Sequence, residues 1–167
     1  AFYKWLTLNK VSGNILSAVT MPEKYDNRKK DDIIVWEPSE IHTILTSSNG
    51  HRLRFMMFLM NYCGLRISEC LGLYSDIRSG FVHVDRQYYQ GDIVPPKHDS
   101  YRKIPIHPEL EKALRIHRER FEAEARRNKY KTEFVFTSDS GELLEYGNVR
   151  RSLNRYYNRI GVPEKSP

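Results

Sequence analysis

Thiols are scarce in this chain: Cys63 and Cys70 are the only two. A disulfide framework or a zinc site needs more cysteines, or cysteines with histidines at fixed spacing, and two thiols in apolar helical company fit neither. They read as packing residues, which suits a reducing, cytosolic compartment. No apolar run approaches the ~20 residues a membrane helix needs. The first residues, Ala1-Phe2-Tyr3-Lys4-Trp5-Leu6, lack the charged head and greasy stretch of a secretion signal. There is no Gly-x-x-x-x-Gly-Lys box to cradle nucleotide phosphates, no internal repeat and no low-complexity tract. An initiator methionine is also missing, so the expectation is a piece of something longer. Acid is in deficit: 27 basic residues face 21 acidic ones, a net charge of +6 with pI near 9.3. That balance favours a polyanionic partner.

The remaining composition is globular. With 40% apolar and 29% charged residues over 167 positions, the chain can bury a core of one ordinary domain. Residues 1–20 read as the end of a helix and a short coil, and the charged, proline-containing stretch that follows has linker composition. The expected division is therefore 1–33, a tail and linker, and 34–167, the main domain.

Within the main domain Glu37-Pro38-Ser39-Glu40 opens a helix, with proline in its favoured first turn. Phe55-Met56-Met57-Phe58-Leu59-Met60 is apolar on every side, which marks a central, buried helix. Ile67, Cys70, Leu71 and Leu73 continue a short helix after Gly64. The period then changes. Phe81 to Val84 reads as a strand that Arg86 to Tyr89 extends, and Ile93-Val94 and Arg102 to Ile106 read as two more. A long helix is expected from Pro108 to Lys131 and a last one from Tyr146 to Ile160. In the last one, Tyr157 faces the core and Tyr156 lies at the surface or in a groove. The predicted fold class is α+β, mainly helical, with a small three-stranded antiparallel sheet.

Two short stretches carry the chemistry. In Gly64-Leu65-Arg66-Ile67-Ser68-Glu69 an arginine stands at the mouth of the buried helix with a glutamate one turn on. A charge there needs a partner, and Glu69 can supply it. The pair is then either a self-contained ion pair fastening two helices, or a glutamate holding a guanidinium fork toward a phosphodiester. In Lys97-His98-Asp99-Ser100-Tyr101-Arg102 a lysine sits beside a turn, where it can reach away from the sheet, followed by a hydroxyl and a second phosphate-grade donor. Alone, such a lysine is usually solvated decoration. Arg151, Arg155 and Arg159 recur every four residues on the last helix. They form either a solvated face or a rail whose self-repulsion vanishes against phosphates. His51-Arg52-Leu53-Arg54 reads as an ordinary helix start, and Gly72 and Gly91 as turn or packing glycines.

Together the two stretches resemble the arginine and lysine boxes of the tyrosine recombinases, the phage and mobile-element integrases. Trp36-Glu37-Pro38-Ser39-Glu40 is similar to the opening of that family's catalytic domain. Leu71-Gly72-Leu73-Tyr74-Ser75-Asp76-Ile77 and Phe134-Val135-Phe136 are similar to later segments of it. The resemblance implies a helical catalytic domain of the DNA breaking-rejoining type, with residues 1–33 ending an upstream DNA-clamping domain. It implies catalytic roles for Arg66 and Lys97. Glu69 is expected to support Arg66, and His98, Ser100, Arg102, Arg151 and Arg155 are the expected DNA contacts on their own chemistry and placement. No metal, no cofactor and no membrane are implied. The expected partners are duplex DNA and other recombinase protomers, in a bacterial or archaeal cytoplasm. The family's His-x-x-Arg box and tyrosine nucleophile have no counterpart among these residues and are expected to follow Pro167, so the fragment alone should not cut DNA. Two other readings stand beside this one: a non-catalytic DNA-binding module that retains the phosphate-gripping arginine and lysine, and an RNA-binding or scaffolding helical domain.

Overall fold

The computed structural model describes residues 35–163, apart from 75, 76 and 79, together with residue 165. These lie in one compact unit, residues 35–166. The tail and linker expected over 1–33 lie outside the described residues.

The core is built around one helix. α1 (Pro38–Ser47) begins at its proline, and Glu40 reaches back to accept the Glu37 amide at 2.6 Å. α2 (Arg54–Cys63) is the central helix: Phe55, Met56, Met57 and Leu59 are each at most 2% exposed. Burying side chains of that size contributes about 1.5–3 kcal/mol apiece. α2 stops at Gly64, whose φ of 60° lies in the left-handed region that glycine adopts without cost. The chain then turns into α3 (Ile67–Leu71). Two more helices close the unit: α4 (Pro108–Asn128), capped by His107 through the Glu109 amide, and α5 (Tyr146–Arg159). α4 packs on α2, and α5 on α3.

Five strands lie between α3 and α4: β1 (Ile77–Arg78), β2 (Phe81–Val84), β3 (Gln87–Tyr89), β4 (Asp92–Val94) and β5 (Arg102–Pro105). The three-stranded antiparallel sheet is there, in the order β1-β2-β5, with Val82 opposite Ile104 and Val84 opposite Arg102. Its membership differs from the sequence reading. β3 does not extend β2 but forms its own hairpin with β4, with Gln87 opposite Val94. The reason is the turn between them. Gln90 and Gly91 both have positive φ, 51° and 96°, the conformation of a tight two-residue hairpin. Ile93-Val94 is thereby taken from the main sheet, and the short β1 replaces it.

Gly72 fixes where that hairpin sits. A side-chain carbon at residue 72 would lie 2.7 Å from the Cα of Gln87, so only glycine lets β3 lie against the end of α3.

Tyr156 also departs from expectation. It is 2% exposed, and its hydroxyl donates to the Ile44 carbonyl at 2.6 Å, pinning α5 to α1. Tyr157 is buried as expected and meets Trp36 edge-on with ring centroids 4.9 Å apart. The two ends of the unit are clasped. The Trp36 indole N–H donates to the Pro163 carbonyl at 3.0 Å, and the Lys165 ammonium donates to the Val35 carbonyl at 3.1 Å and to Glu40 at 2.6 Å.

The Gly72 contact makes a direct prediction. Gly72→Ala forces β3 off α3 and costs about 1–3 kcal/mol, as overpacking does. Urea denaturation of the purified chain measures the loss, and a midpoint equal to wild type contradicts the close approach.

Candidate functional site

Arg66 is placed by the way α2 ends. Left-handed Gly64 turns the chain, and the next residues are extended, Arg66 itself at φ −73°, ψ 155°. Leu65 and Ile67 are buried on either side, so the intervening side chain points out, and that of Arg66 is 56% exposed. It is not sealed in the protein.

Glu69 has no exposure at all. One of its oxygens accepts the Arg66 amide at 2.8 Å and the other the Arg66 guanidinium at 3.2 Å. Arg102 closes on both oxygens, at 3.0 and 2.8 Å, a two-pronged pairing stronger than either bond alone. Arg102 also donates to the Ser100 carbonyl at 3.2 Å and the Gly64 carbonyl at 3.4 Å. The result is a single polar knot under the exposed arginine, joining the end of α2, α3 and β5. Burial pushes the Glu69 carboxyl up, but the bonds from Arg102 and the Arg66 amide outweigh it and hold the group below its ordinary value. The same pairing raises Arg102 further.

Lys97 opens a one-turn helix, Lys97–Asp99, directly after Pro95-Pro96. It is exposed, and its ammonium has no partner among the described residues. The next two residues, His98 and Asp99, have φ of 58° and 51°. That conformation costs a residue with a side chain roughly 1–2 kcal/mol, less for histidine and aspartate than for most. His98 is exposed beside the lysine.

Two of the residues expected to face DNA face the protein instead. The Ser100 hydroxyl is buried, with no hydrogen-bond partner among the described residues. The Arg102 guanidinium is bound to Glu69. Alternation along β5 carried the signal for Arg102: it shares a face with Ile104, and its cross-strand neighbour Val84 is 1% exposed. Arg151 and Arg155 are exposed on α5, lining a shallow groove with Asn148, Asn154 and Asn158. Arg151 leans on its own helix, donating to Asn148 at 2.6 Å.

The other candidates resolve as packing. The two ends of the early His-x-x-Arg pattern are engaged locally: His51 accepts the Leu53 amide at 3.1 Å, and Arg54 donates to Asn49 and lies 4.9 Å from the centre of the Phe58 ring. Between them, Arg52 pairs with Glu124 at 2.7 Å and Asp139 at 2.6 Å. Cys63 and Cys70 are buried, and burial pushes the Cys63 thiol up to about 11 and Cys70 upward too, so neither is a ready nucleophile. Among the described residues no group of three or more histidines, cysteines or acids is placed to hold a metal ion, and no helix is long and apolar enough to cross a membrane.

Residues 36–166 match the phage integrase family. The chain belongs to that family. A curated relative, the tyrosine recombinase XerC-like protein of Caldanaerobacter subterraneus subsp. tengcongensis, is 27% identical over an alignment of 168 positions, a match that covers 87% of this chain and 43% of the relative. The chain thus spans less than half the length of that protein. Among solved structures, the Tn1549 transposon integrase in complex with transposon right end DNA is similar with a TM-score of 0.66 and 19% identity, over 99% of this chain and 57% of that one. The XerA recombinase is similar with a TM-score of 0.61 and 16% identity, over 83% and 46%. At such identities the structures establish the integrase fold. The mainly helical architecture with its small antiparallel sheet is that fold.

The Glu69 knot has a pH signature. Because the folded carboxyl lies below its ordinary value of 4.5, its pairing adds stability that is complete above about pH 4.5 and is lost as pH falls through the depressed folded value. Glu69→Gln is expected to remove this acid-dependent component, which urea titrations between pH 7 and pH 3 measure against wild type. Arg102→Ala strands a buried carboxylate and costs about 3–5 kcal/mol. Arg66→Ala, which leaves the Arg102 clamp in place, costs far less. Equal losses would mean that Arg102 is not the main partner.

Proposed function

We propose that this chain is the front part of the catalytic domain of a site-specific DNA recombinase, acting by transesterification through a 3′-phosphotyrosyl intermediate. The observation that carries the reading is Arg66: an exposed guanidinium on an integrase fold, held from beneath by a fully buried carboxylate that a second arginine already neutralises. With Glu69 satisfied by Arg102, the outward part of Arg66 keeps donors to offer a phosphate.

In the proposed reaction a tyrosine that has already lost its hydroxyl proton attacks the scissile phosphorus through its oxygen, a bond to that oxygen forms, and the bond from phosphorus to the 5′-oxygen breaks. Arg66 stabilises the charge that gathers on the non-bridging oxygens. Lys97 gives a proton to the departing 5′-oxygen, leaving a free 5′-hydroxyl. The phosphotyrosyl bond retains the energy of the broken linkage, so resealing needs no nucleotide cofactor, and the chemistry is proposed to run without a metal. Tyr156 and Tyr157 are buried and occupied in packing, so the nucleophile is not assigned to either. His98 is proposed to touch the DNA backbone beside Lys97, and Arg151 and Arg155 to rail phosphates along α5. Duplex DNA and further protomers are the proposed partners, and residues 1–33 are proposed to end an upstream DNA-binding domain.

Two measurements test this. The 167-residue chain is expected to bind duplex DNA with a steep salt dependence, weakened by Arg66→Ala and by Lys97→Ala, and to form no covalent adduct. The protein expressed from its whole reading frame is expected to trap adducts on a nicked suicide duplex. There Arg66→Ala should lower the rate about 10²–10³-fold, the loss typical of one charge-stabilising donor. Undiminished adduct formation would remove Arg66 from the chemistry.

A further inference from the structure

Among the described residues, the side chains of Lys97, His98 and Asp99 make no hydrogen bond or ion pair, yet His98 and Asp99 hold left-handed conformations. The anchors lie on either side. At its far end, the Ser100 carbonyl is held by Arg102 at 3.2 Å, and Arg102 is held by Glu69. At its near end, the Pro95 carbonyl accepts the Gln87 side-chain amide at 3.0 Å, while the Gln87 oxygen accepts the Ser68 hydroxyl at 3.1 Å. Ser68 and Glu69 are consecutive residues of α3, the helix that Arg66 precedes. The lysine turn is therefore bracketed at both ends by bonds that lead back to neighbouring positions beside the arginine. Gly72 makes the nearer bracket possible, because only its bare Cα lets the Gln87 backbone lie close enough.

We infer that Gln87 is a positioning residue for Lys97, acting with Ser68 to set the reach of the lysine relative to Arg66. Its two functions are separable in chemistry. The oxygen needs a donor, which Ser68 provides. The nitrogen must donate, because a carbonyl can only accept. Gln87→Glu keeps the first bond and abolishes the second, with almost no change in shape. The role in catalysis rests on the reading of Lys97 as the general acid; the tether itself does not.

Two measurements separate these levels. The first uses the 167-residue chain and amide hydrogen exchange. Within the turn the Asp99 amide donates to the Pro96 carbonyl at 3.0 Å and the Tyr101 amide to the Asp99 carbonyl at 2.8 Å. Gln87→Glu is expected to speed exchange at Asp99 and Tyr101 by about tenfold or more, while buried α2 amides such as Met57 exchange as in wild type. Unchanged protection at Asp99 and Tyr101 overturns the inference whatever the protein does to DNA.

The second uses the protein from its whole reading frame and two duplex substrates. One carries the ordinary 5′-oxygen at the scissile phosphate and the other a 5′-sulfur, which departs without a proton. Gln87→Glu is expected to cleave the oxygen substrate about 10²-fold more slowly, the scale of a misplaced catalytic group, and the sulfur substrate at close to the wild-type rate. Lys97→Ala should show the same rescue and Arg66→Ala should not. If Lys97→Ala is rescued and Gln87→Glu is not, or if Gln87→Glu cleaves the oxygen substrate normally, Gln87 does not position the lysine. If Lys97→Ala is not rescued, the general-acid reading fails, and the exchange result alone decides whether Gln87 holds the turn.

Discussion

A carboxylate with no contact with water has to be met by hydrogen bonds and positive charge, or it does not stay ionised. Glu69 is met by both. The Arg66 amide, the Arg66 guanidinium and the two prongs of Arg102 converge on its two oxygens. Three separate parts of the chain are consequently fixed to one point: the end of the central helix through the Gly64 carbonyl, the short helix that bears the acid, and the strand that bears Arg102. Arg66 inherits its orientation from this arrangement. The integrase fold supplies the elements, and the buried ion cluster sets the angle at which they present an arginine to solvent.

Surface and interior thus divide the labour between two guanidinium groups. The exposed one retains donors for a ligand, and the sheltered one neutralises the acid that steadies it. Had Glu69 only Arg66 for company, the outward donors would be drawn inward to satisfy it. A second cation in the wall frees the first. The same logic explains why the lysine turn can tolerate strained residues: its flanking carbonyls are held by groups that α3 holds in turn.

Much of this was legible in the letters. The unbroken apolar run from Phe55 to Met60 announces the central helix, and five of its six side chains are buried, with Met60 half-buried. The arginine and its glutamate partner were visible from their spacing of one helical turn. Arg102, expected as a DNA contact, has its guanidinium on Glu69, and its alternation with Ile104 already puts it on the more covered face of the sheet. The separate β3–β4 hairpin was missed because Gln-Gly is a weaker turn signal than Asn-Gly, and strand pairing depends on partners distant in sequence. Tyr156 shows the remaining limit. Helical periodicity puts Tyr157 inward, but it carries no sign of the Ile44 carbonyl that takes the Tyr156 hydroxyl and draws that ring under cover as well.

The clasp at the ends of the unit has a mechanical consequence. Val35 and Trp36 are bonded to Lys165 and Pro163, so the first and last described residues form a closed loop around the core. Tension arriving along the backbone from either side meets that seam first, together with the Lys165–Glu40 ion pair. The helices that carry Arg66 are shielded from such a pull until the seam parts.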